Sequence, residues 1–427
     1  MSSTFEFQQD DIIKINYERV GLKFNPFPIG GEPSKDYPYI EISKKITEEI
    51  TDFVNTVTAT KRWQGLSLIG DNGTGKTRLL FLMESEINSQ LNYANAIYVN
   101  EPPADPVKFF QKIIYSCDLD KLTQIIINQS KDQAKFLEII EKNLIKTPTL
   151  SGKIIANISD EKNLINDIAK YLKDRLPFDE NIRKGYSALI IHYVITNKLR
   201  DLGIEVSLEN TSISEINDIK RFIAGETVSS SLLNRIGIKP IKVDNSEMEK
   251  VIFPSFLNYN NIANKSLVYA LIDEFQFVID NVSKTKIISI LNMIMAVAQT
   301  NTTGFCIVLS CLPDSWNYAI RISNSFSERF NRQVSMPPLS KEVAIEMAKK
   351  YLNFGRVKIS DDLSPFTDDA IGKILELSRY NTRNFLKYIG INLNIFVQNK
   401  KSGLIDIGFV RDAMQTDKSQ ASLDLWF

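Results

Sequence analysis

Four short runs along the chain, residues 66–69, 95–100, 266–272 and 304–310, are almost wholly apolar. Runs of four to seven residues without polar alternation suit strands buried on both faces of a parallel sheet. Elsewhere apolar residues recur at every third or fourth position. This spacing predicts amphipathic helices over 78–83, 109–117, 136–144, 164–172, 186–202, 213–223 and 287–299. Strand and helix patterns alternating in this way predict an α/β protein, a parallel sheet flanked by helices. Five of the helical patterns fall between the second and third strands. Residues 106–262 therefore read as a large helical insertion, since a structureless loop of that length would be out of place in a compact domain.

Polar residues stand at the ends of the apolar runs, and they define the chemistry. After the first run comes Gly70-Asp71-Asn72-Gly73-Thr74-Gly75-Lys76-Thr77, which fits G-x-x-x-x-G-K-[ST] at every fixed position. Glycines let backbone N–H groups curl around phosphate oxygens where a side chain would clash. Gly70, Asn72, Gly73, Thr74 and Gly75 are expected to cradle the phosphates, Lys76 to reach the β- and γ-phosphates, and Thr77 to bind Mg²⁺. The helical pattern that follows puts a helix N-terminus at the anion. The third run ends in Asp273-Glu274. Asp273 is expected to hold Mg²⁺ through water and Glu274 to orient or deprotonate the attacking water, which indicates ATP hydrolysis.

This motif set resembles the AAA+ ATPases, over roughly residues 40–105 and 263–400. The resemblance implies a P-loop AAA+ sheet with a small helical lid and a "sensor 1" residue at the end of the next strand, here Ser310. It also implies an arginine finger in Ser327-Glu328-Arg329-Phe330-Asn331-Arg332, where Arg329 is preferred to Arg332 because it directly precedes an aromatic. In Ser378-Arg379-Tyr380-Asn381-Thr382-Arg383, Arg383 resembles "sensor 2" at the start of a lid helix. Asn25-Pro26-Phe27 resembles the leader that precedes the P-loop in the origin-recognition and TnsC/ExeA-like branch, where it often packs near the adenine. Arg221-Phe222-Ile223-Ala224-Gly225-Glu226 and 232–238 resemble ATP-binding proteins of BREX phage-defence systems. The expected organisation is a leader (1–39), an ATPase core (40–105 and 263–345), the helical insertion (106–262), a helical lid (346–415) and a tail (416–427). Too few residues follow Arg383 for the winged helix of origin-recognition proteins, so DNA contact is expected through the insertion, the core or a partner.

The tail reads Gln420-Ala421-Ser422-Leu423-Asp424-Leu425-Trp426-Phe427 behind a polar stretch. It matches Q-x-x-[aliphatic]-x-x-[aromatic]-[aromatic], the peptide by which many proteins bind the PCNA sliding clamp. One 3₁₀ turn would set Leu423, Trp426 and Phe427 on one side as a three-pronged apolar plug beside the Gln420 amide. The form resembles archaeal clamp-binding tails. A bacterial clamp motif fits less well, because Ser422 stands where it wants Gln.

Composition narrows the classes. With 51 basic and 51 acidic side chains the net charge is zero, which argues against a broadly basic nucleic-acid coat. The single His192 lies in an apolar stretch and reads as structural, so imidazole-based catalysis and His zinc sites are excluded. Cys117, Cys306 and Cys311 form no metal or redox motif, and no signal peptide is visible, which predicts a reducing, cytoplasmic setting. The most apolar stretch, 287–298, is broken by Ser289 and Asn292 and is too short for a membrane span. The leading expectation is an ATPase, assembled as a homo-oligomer, recruited to DNA by PCNA for replication, repair or maintenance of a mobile element. A phage-defence ATPase with a helicase or nuclease partner, an ATP-switched scaffold and a clamp loader are the alternatives.

Overall fold

The computed structural model describes residues 17–30, 35–148, 154–177, 179–202, 204–207, 211, 214–239, 242–280, 282–301 and 304–423, with backbone alone at 130–133, 148 and 416–423. Eight strands occur among them: β1 (Gly65–Ile69), β2 (Ala94–Val99), β3 (Leu144–Pro148), β4 (Ile154–Ile158), β5 (Ile204–Ser207), β6 (Leu267–Ile272), β7 (Phe305–Cys311) and β8 (Arg332–Ser335). The main sheet has the order β2-β6-β7-β1-β8, and β2, β6, β7 and β1 run parallel. Every residue of β6 and β7 is buried, as the unbroken apolar runs require. In register, Ile272 pairs with Val99 on one side and Leu309 on the other, and Ser310 pairs with Leu68. The carboxyl ends of β6 and β7 therefore lie side by side. The fold is α/β, a parallel sheet flanked by helices.

The chain divides into two compact units. One comprises Ile50–Ile69 and Leu80–Val334, the other Met1–Glu49, Gly70–Leu79 and Ser335–Phe427. These units cut across the segments read from the sequence.

In the first of these units the insertion shares one apolar core with the sheet. Phe253 of helix Phe253–Ile262 packs its ring 4.9 Å from Phe110 of helix Pro106–Ser116 and 4.9 Å from Phe305 of β7. Aspartates start several of the inserted helices: Asp105, Asp118 and Asp160 each accept the backbone N–H three residues on, at 2.9–3.0 Å. Such caps satisfy donors that a helix start otherwise leaves orphaned.

The insertion is not purely helical, contrary to the periodicity. It carries a second sheet in which β3 runs antiparallel to β4, and β4 parallel to β5. The helix expected over 136–144 is Ser130–Lys142. It stops at Asn143, whose carbonyl accepts both the N–H (2.9 Å) and the hydroxyl (2.8 Å) of Ser159, closing the end of the β3–β4 ladder. Each of these strands is only four or five residues long, so a three-to-four-residue period and a two-residue alternation can hardly be told apart in them. The helix expected over 186–202 is Glu180–Tyr193, continuing as a π-helical stretch Val194–Leu199, with His192 half-buried in its last α-helical turn.

The other unit is built on helices Lys341–Gly355, Asp368–Leu377, Thr382–Gln398 and Ile407–Leu423. The leader docks on them. The Asn25 amide donates to the carbonyl of Gly390 (3.0 Å) and to Asn394 (2.7 Å), while Phe27 stacks on Tyr351 with centroids 5.7 Å apart. Helix Ile407–Leu423 includes residues 416–419, the polar stretch read above as the start of the tail. That segment contains neither Gly nor Pro, so nothing in it stops a helix.

Phe253→Ala removes a fully buried ring shared by the insertion and the sheet. It is expected to lower stability by about 3–5 kcal/mol, read as a shift of the denaturant midpoint.

Candidate functional site

The phosphate-loop residues lie in the unit that contains the leader and the C-terminal helices. Gly73 (φ 78°) and Gly75 (φ 98°) take left-handed conformations that other residues adopt only at a cost. Space is as restrictive as torsion. A Cβ on Gly73 would fall 2.5 Å from the Asn381 Oδ1 and 2.7 Å from the Arg383 Cβ, and one on Gly75 would fall 2.5 Å from the Ile42 Cδ1. Lys76, only 5% exposed, is held by the loop itself, its ammonium donating to the carbonyls of Gly70 (2.6 Å) and Asp71 (3.0 Å). Thr74 donates its hydroxyl to Asp71 at 2.8 Å. Helix Lys76–Gln90 begins at once, with Thr77 half-buried in its first turn.

The start of helix Thr382–Gln398 touches the loop directly. The backbone N–H of Arg383 donates to the Gly73 carbonyl (3.0 Å), and the Asn381 amide donates to the Asn72 carbonyl. The Arg383 side chain itself is exposed. Asn381 was not singled out from the sequence, although Asn immediately before a helical pattern is a capping signal; its Oδ1 accepts the N–H of Asn384 at 3.1 Å. Two successive left-handed residues, Arg379 (φ 54°) and Tyr380 (φ 59°), make the turn that delivers it. With two loop carbonyls engaged from outside, the glycine-rich backbone is fixed in one orientation.

Beside Gly75 and Arg78 in the same unit opens a cleft walled by Tyr39, Ile42, Ile46, Met336, Tyr351 and Leu386. Apolar walls with few polar groups suit a flat aromatic ring system. One wall comes from residues 38–46, and Phe27 of Asn25-Pro26-Phe27 stacks on Tyr351 of another. Arg78 is turned to the Tyr37 carbonyl, tying this segment to the loop.

The acid pair lies in the other unit, at the end of β6. Asp273 is 1% exposed, and three donors hold its carboxylate. The Tyr98 hydroxyl reaches Oδ2 at 2.9 Å, the Glu274 N–H reaches Oδ1 at 3.0 Å, and the Ser310 hydroxyl also bonds Oδ1. Burial, followed by the adjacent Asp273 carboxylate, pushes the Tyr98 phenol far above its usual value, so it stays a donor at any physiological pH. Ser310 is wholly buried and acts here as a donor to Asp273. Glu274 is half-buried and left-handed (φ 55°), and the amide Nε2 of Gln276 donates to its Oε2. Neither Tyr98 nor Gln276 was identified from the sequence: Tyr98 meets Asp273 only because β2 and β6 are neighbours, and Gln276 meets Glu274 only through the left-handed turn at 274.

The two arginine-finger candidates differ. Arg332 donates to Asp52 (2.7 Å) and Thr56 (3.2 Å), whereas Arg329 closes helix Asn324–Arg329 with its side chain exposed. All three cysteines are buried free thiols, and burial pushes that of Cys117 up to about 12, so it is inert as a nucleophile. No cluster of three or more metal-ligating side chains occurs among the described residues, and none of their helices is long and apolar enough to cross a membrane. Of the tail residues, Gln420 and Leu423 fall on the backbone of helix Ile407–Leu423, and Trp426 and Phe427 lie outside the described residues.

No protein-family model matches the chain, and no curated protein matches it. Solved structures are similar at low identity. The Aeropyrum pernix ORC2 protein in its ADP form matches over 90% of this chain and 71% of its own, at 9% identity and a TM-score of 0.44. Drosophila ORC bound to DNA matches over 97% and 70%, at 10% identity and a TM-score of 0.44. The Walker-type ATPase paby2304 of Pyrococcus abyssi matches over 90% and 75%, at 11% identity and a TM-score of 0.38.

Asn381→Ala removes both a helix cap and one of the two holds on the loop. Stability should fall by about 1 kcal/mol in a melting experiment. ATP affinity, followed by titration with a fluorescent analogue, should weaken severalfold.

Proposed function

We propose that this chain is an AAA+ ATPase that hydrolyses ATP and is recruited to DNA through the PCNA sliding clamp. The observation that carries the hydrolytic reading is the cluster at the adjoining ends of β6 and β7. There a buried aspartate, a half-buried glutamate and a serine are drawn into one hydrogen-bonded group. The ends of parallel strands are where ligands bind in α/β sheets, and the phosphate loop follows from the end of β1 in the same sheet. In this reading the cleft beside Gly75 takes adenine, the loop amides and Lys76 take the phosphates, and Glu274 takes a proton from water. Thr77 and Asp273 would hold Mg²⁺, which neutralises phosphate charge when bound. A carboxylate and a hydroxyl are the hard oxygen donors that Mg²⁺ takes, so Asp273 and Thr77 fit the ion by type.

Oligomerisation is part of the proposal. An exposed Arg329 is available to a second copy, while Arg332 is engaged by its own chain, which supports Arg329 as the finger. Clamp binding rests on the spacing of Gln420, Leu423, Trp426 and Phe427. Zero net charge supports borrowing DNA localisation from a partner, for work in replication, repair or maintenance of a mobile element.

Glu274→Gln should bind ATP with near-normal affinity while turnover falls at least about 100-fold, and Lys76→Ala should lose binding itself. Undiminished hydrolysis by the Glu274 variant would reject the assignment. Deleting residues 420–427 should abolish PCNA binding, measured by titration calorimetry, with ATPase activity retained. An unchanged clamp affinity would show that the tail serves another purpose.

A further inference from the structure

Where the leader meets the end of helix Lys341–Gly355, an apolar patch is left open to solvent. The N–H of Lys23 donates to the Gly355 carbonyl (2.7 Å) and that of Val357 to the Gly21 carbonyl (3.1 Å), so residues 21–24 and 354–357 lie together. The rings of Phe24 and Phe354 meet edge to face with centroids 5.7 Å apart, and both side chains are exposed. Val357 and Ile359 are more exposed still, at 61% and 80%. Single exposed apolar side chains are ordinary, but four on two adjoining segments make a contact surface.

The loop that presents Val357 and Ile359 is fixed from beneath. Arg356, only 8% exposed, donates to the Asn353 Oδ1 (3.1 Å) and to the carbonyls of Ser360, Asp362 (3.0 Å) and Ser364 (2.8 Å). The Asn353 Oδ1 also accepts the N–H of Ser360 at 3.1 Å. Turning the two apolar side chains inward would break bonds to a buried guanidinium, which is costly. Charge adds a second feature. The neighbouring carboxylates are taken, Asp361 by Lys349 (3.4 Å) and Asp362 by Arg356, while the exposed Lys23 and Lys358 have no ion pair among the described residues.

A segment that is both apolar and acidic fits such a surface, and one is attached beside it. Residues 1–16, outside the described residues, carry Phe5, Phe7, Ile12, Ile13 and Ile15 together with Glu6, Asp10 and Asp11 against the one basic Lys14. They join the leader at Tyr17, whose carbonyl accepts the N–H of Leu22 (3.1 Å), next to the Gly21 that holds Val357. Ile15 stands two residues from this anchor and Phe5 twelve. An extended chain covers about 3.3–3.6 Å per residue, so the whole segment can reach the patch. We infer that residues 5–15 dock on the patch of Phe24, Phe354, Val357 and Ile359 in their own chain, with Asp10 and Asp11 set against Lys23 and Lys358. The tether favours this occupant over a separate chain, because a short linker holds it at an effective concentration on the order of mM. Docking removes apolar surface that would otherwise draw chains together.

The test is disulfide trapping in the full chain carrying Ile13→Cys and Ile359→Cys, the three native cysteines being buried. Oxidised glutathione should close the pair within one chain, seen as a faster-migrating monomer on a non-reducing gel. Val357→Asp keeps the tether and, at an exposed position, the fold, checked by an unchanged melting midpoint. It should slow closure about 10-fold. Lys23→Glu with Lys358→Glu should slow it about threefold, and adding Asp10→Lys with Asp11→Lys should restore the rate. Equal rates with and without Val357→Asp would show the tether acting alone and overturn the inference. So would an absence of closure, a charge reversal without rescue, or disulfides formed only between chains, which would give the patch to a second copy.

Discussion

A carboxylate buried at the end of an apolar strand is the constraint on which the acid site depends. Asp273 is enclosed to 1% exposure by a sheet whose residues are otherwise almost wholly hydrophobic. Its burial is tolerable only with its oxygens supplied with donors. Those donors come from three places, the Tyr98 hydroxyl on β2, the Ser310 hydroxyl on β7 and the N–H of Glu274. Their supply requires β2, β6 and β7 to be neighbours in a particular register. Slipping one strand by a residue would turn a donor to the opposite face and leave the charge uncompensated. The same turn places Glu274 and Gln276 together, so the hydrogen bonding of the aspartate and the pairing of these two side chains are one arrangement.

A similar economy governs the phosphate loop. A backbone made flexible by Gly73 and Gly75 would sample many conformations by itself. Two of its carbonyls, those of Asn72 and Gly73, are instead held by the first residues of helix Thr382–Gln398. The helix start and the loop thus restrain each other, and the apolar cleft beside Gly75 is lined from both. The leader adds to that unit through Asn25 and Phe27, clamped on the helices around Gly390 and Tyr351.

The insertion is where local pattern and final structure part. Helices with apolar faces and Asp caps were legible because period and cap are short-range signals. Strands β3, β4 and β5 were not, since a five-residue segment such as 154–158 gains its identity from the partner it pairs with. Nor could the pattern show that Phe110, Phe253 and Phe305, spread over nearly two hundred positions, would share one core. A large insertion tied in by aromatic contacts is part of the sheet's own packing, and its burial explains why those helices are so apolar.

What the amino-acid order determined by itself was whatever depends on neighbours along the chain. That includes the buried runs of the main sheet, the glycine pattern and lysine of the phosphate loop, the acid pair after an apolar run, and the spacing of the tail residues. Tertiary structure decided everything that depends on residues distant in sequence. It showed Tyr98 and Ser310 converging on Asp273, Asn381 reaching back to Asn72, and Arg332 engaged by Asp52 while Arg329 stays exposed. The physical reason is the range of the forces. Backbone sterics and periodic burial act over a few residues, whereas a hydrogen bond to a buried group chooses its partner only after the sheet has set which strand ends stand side by side.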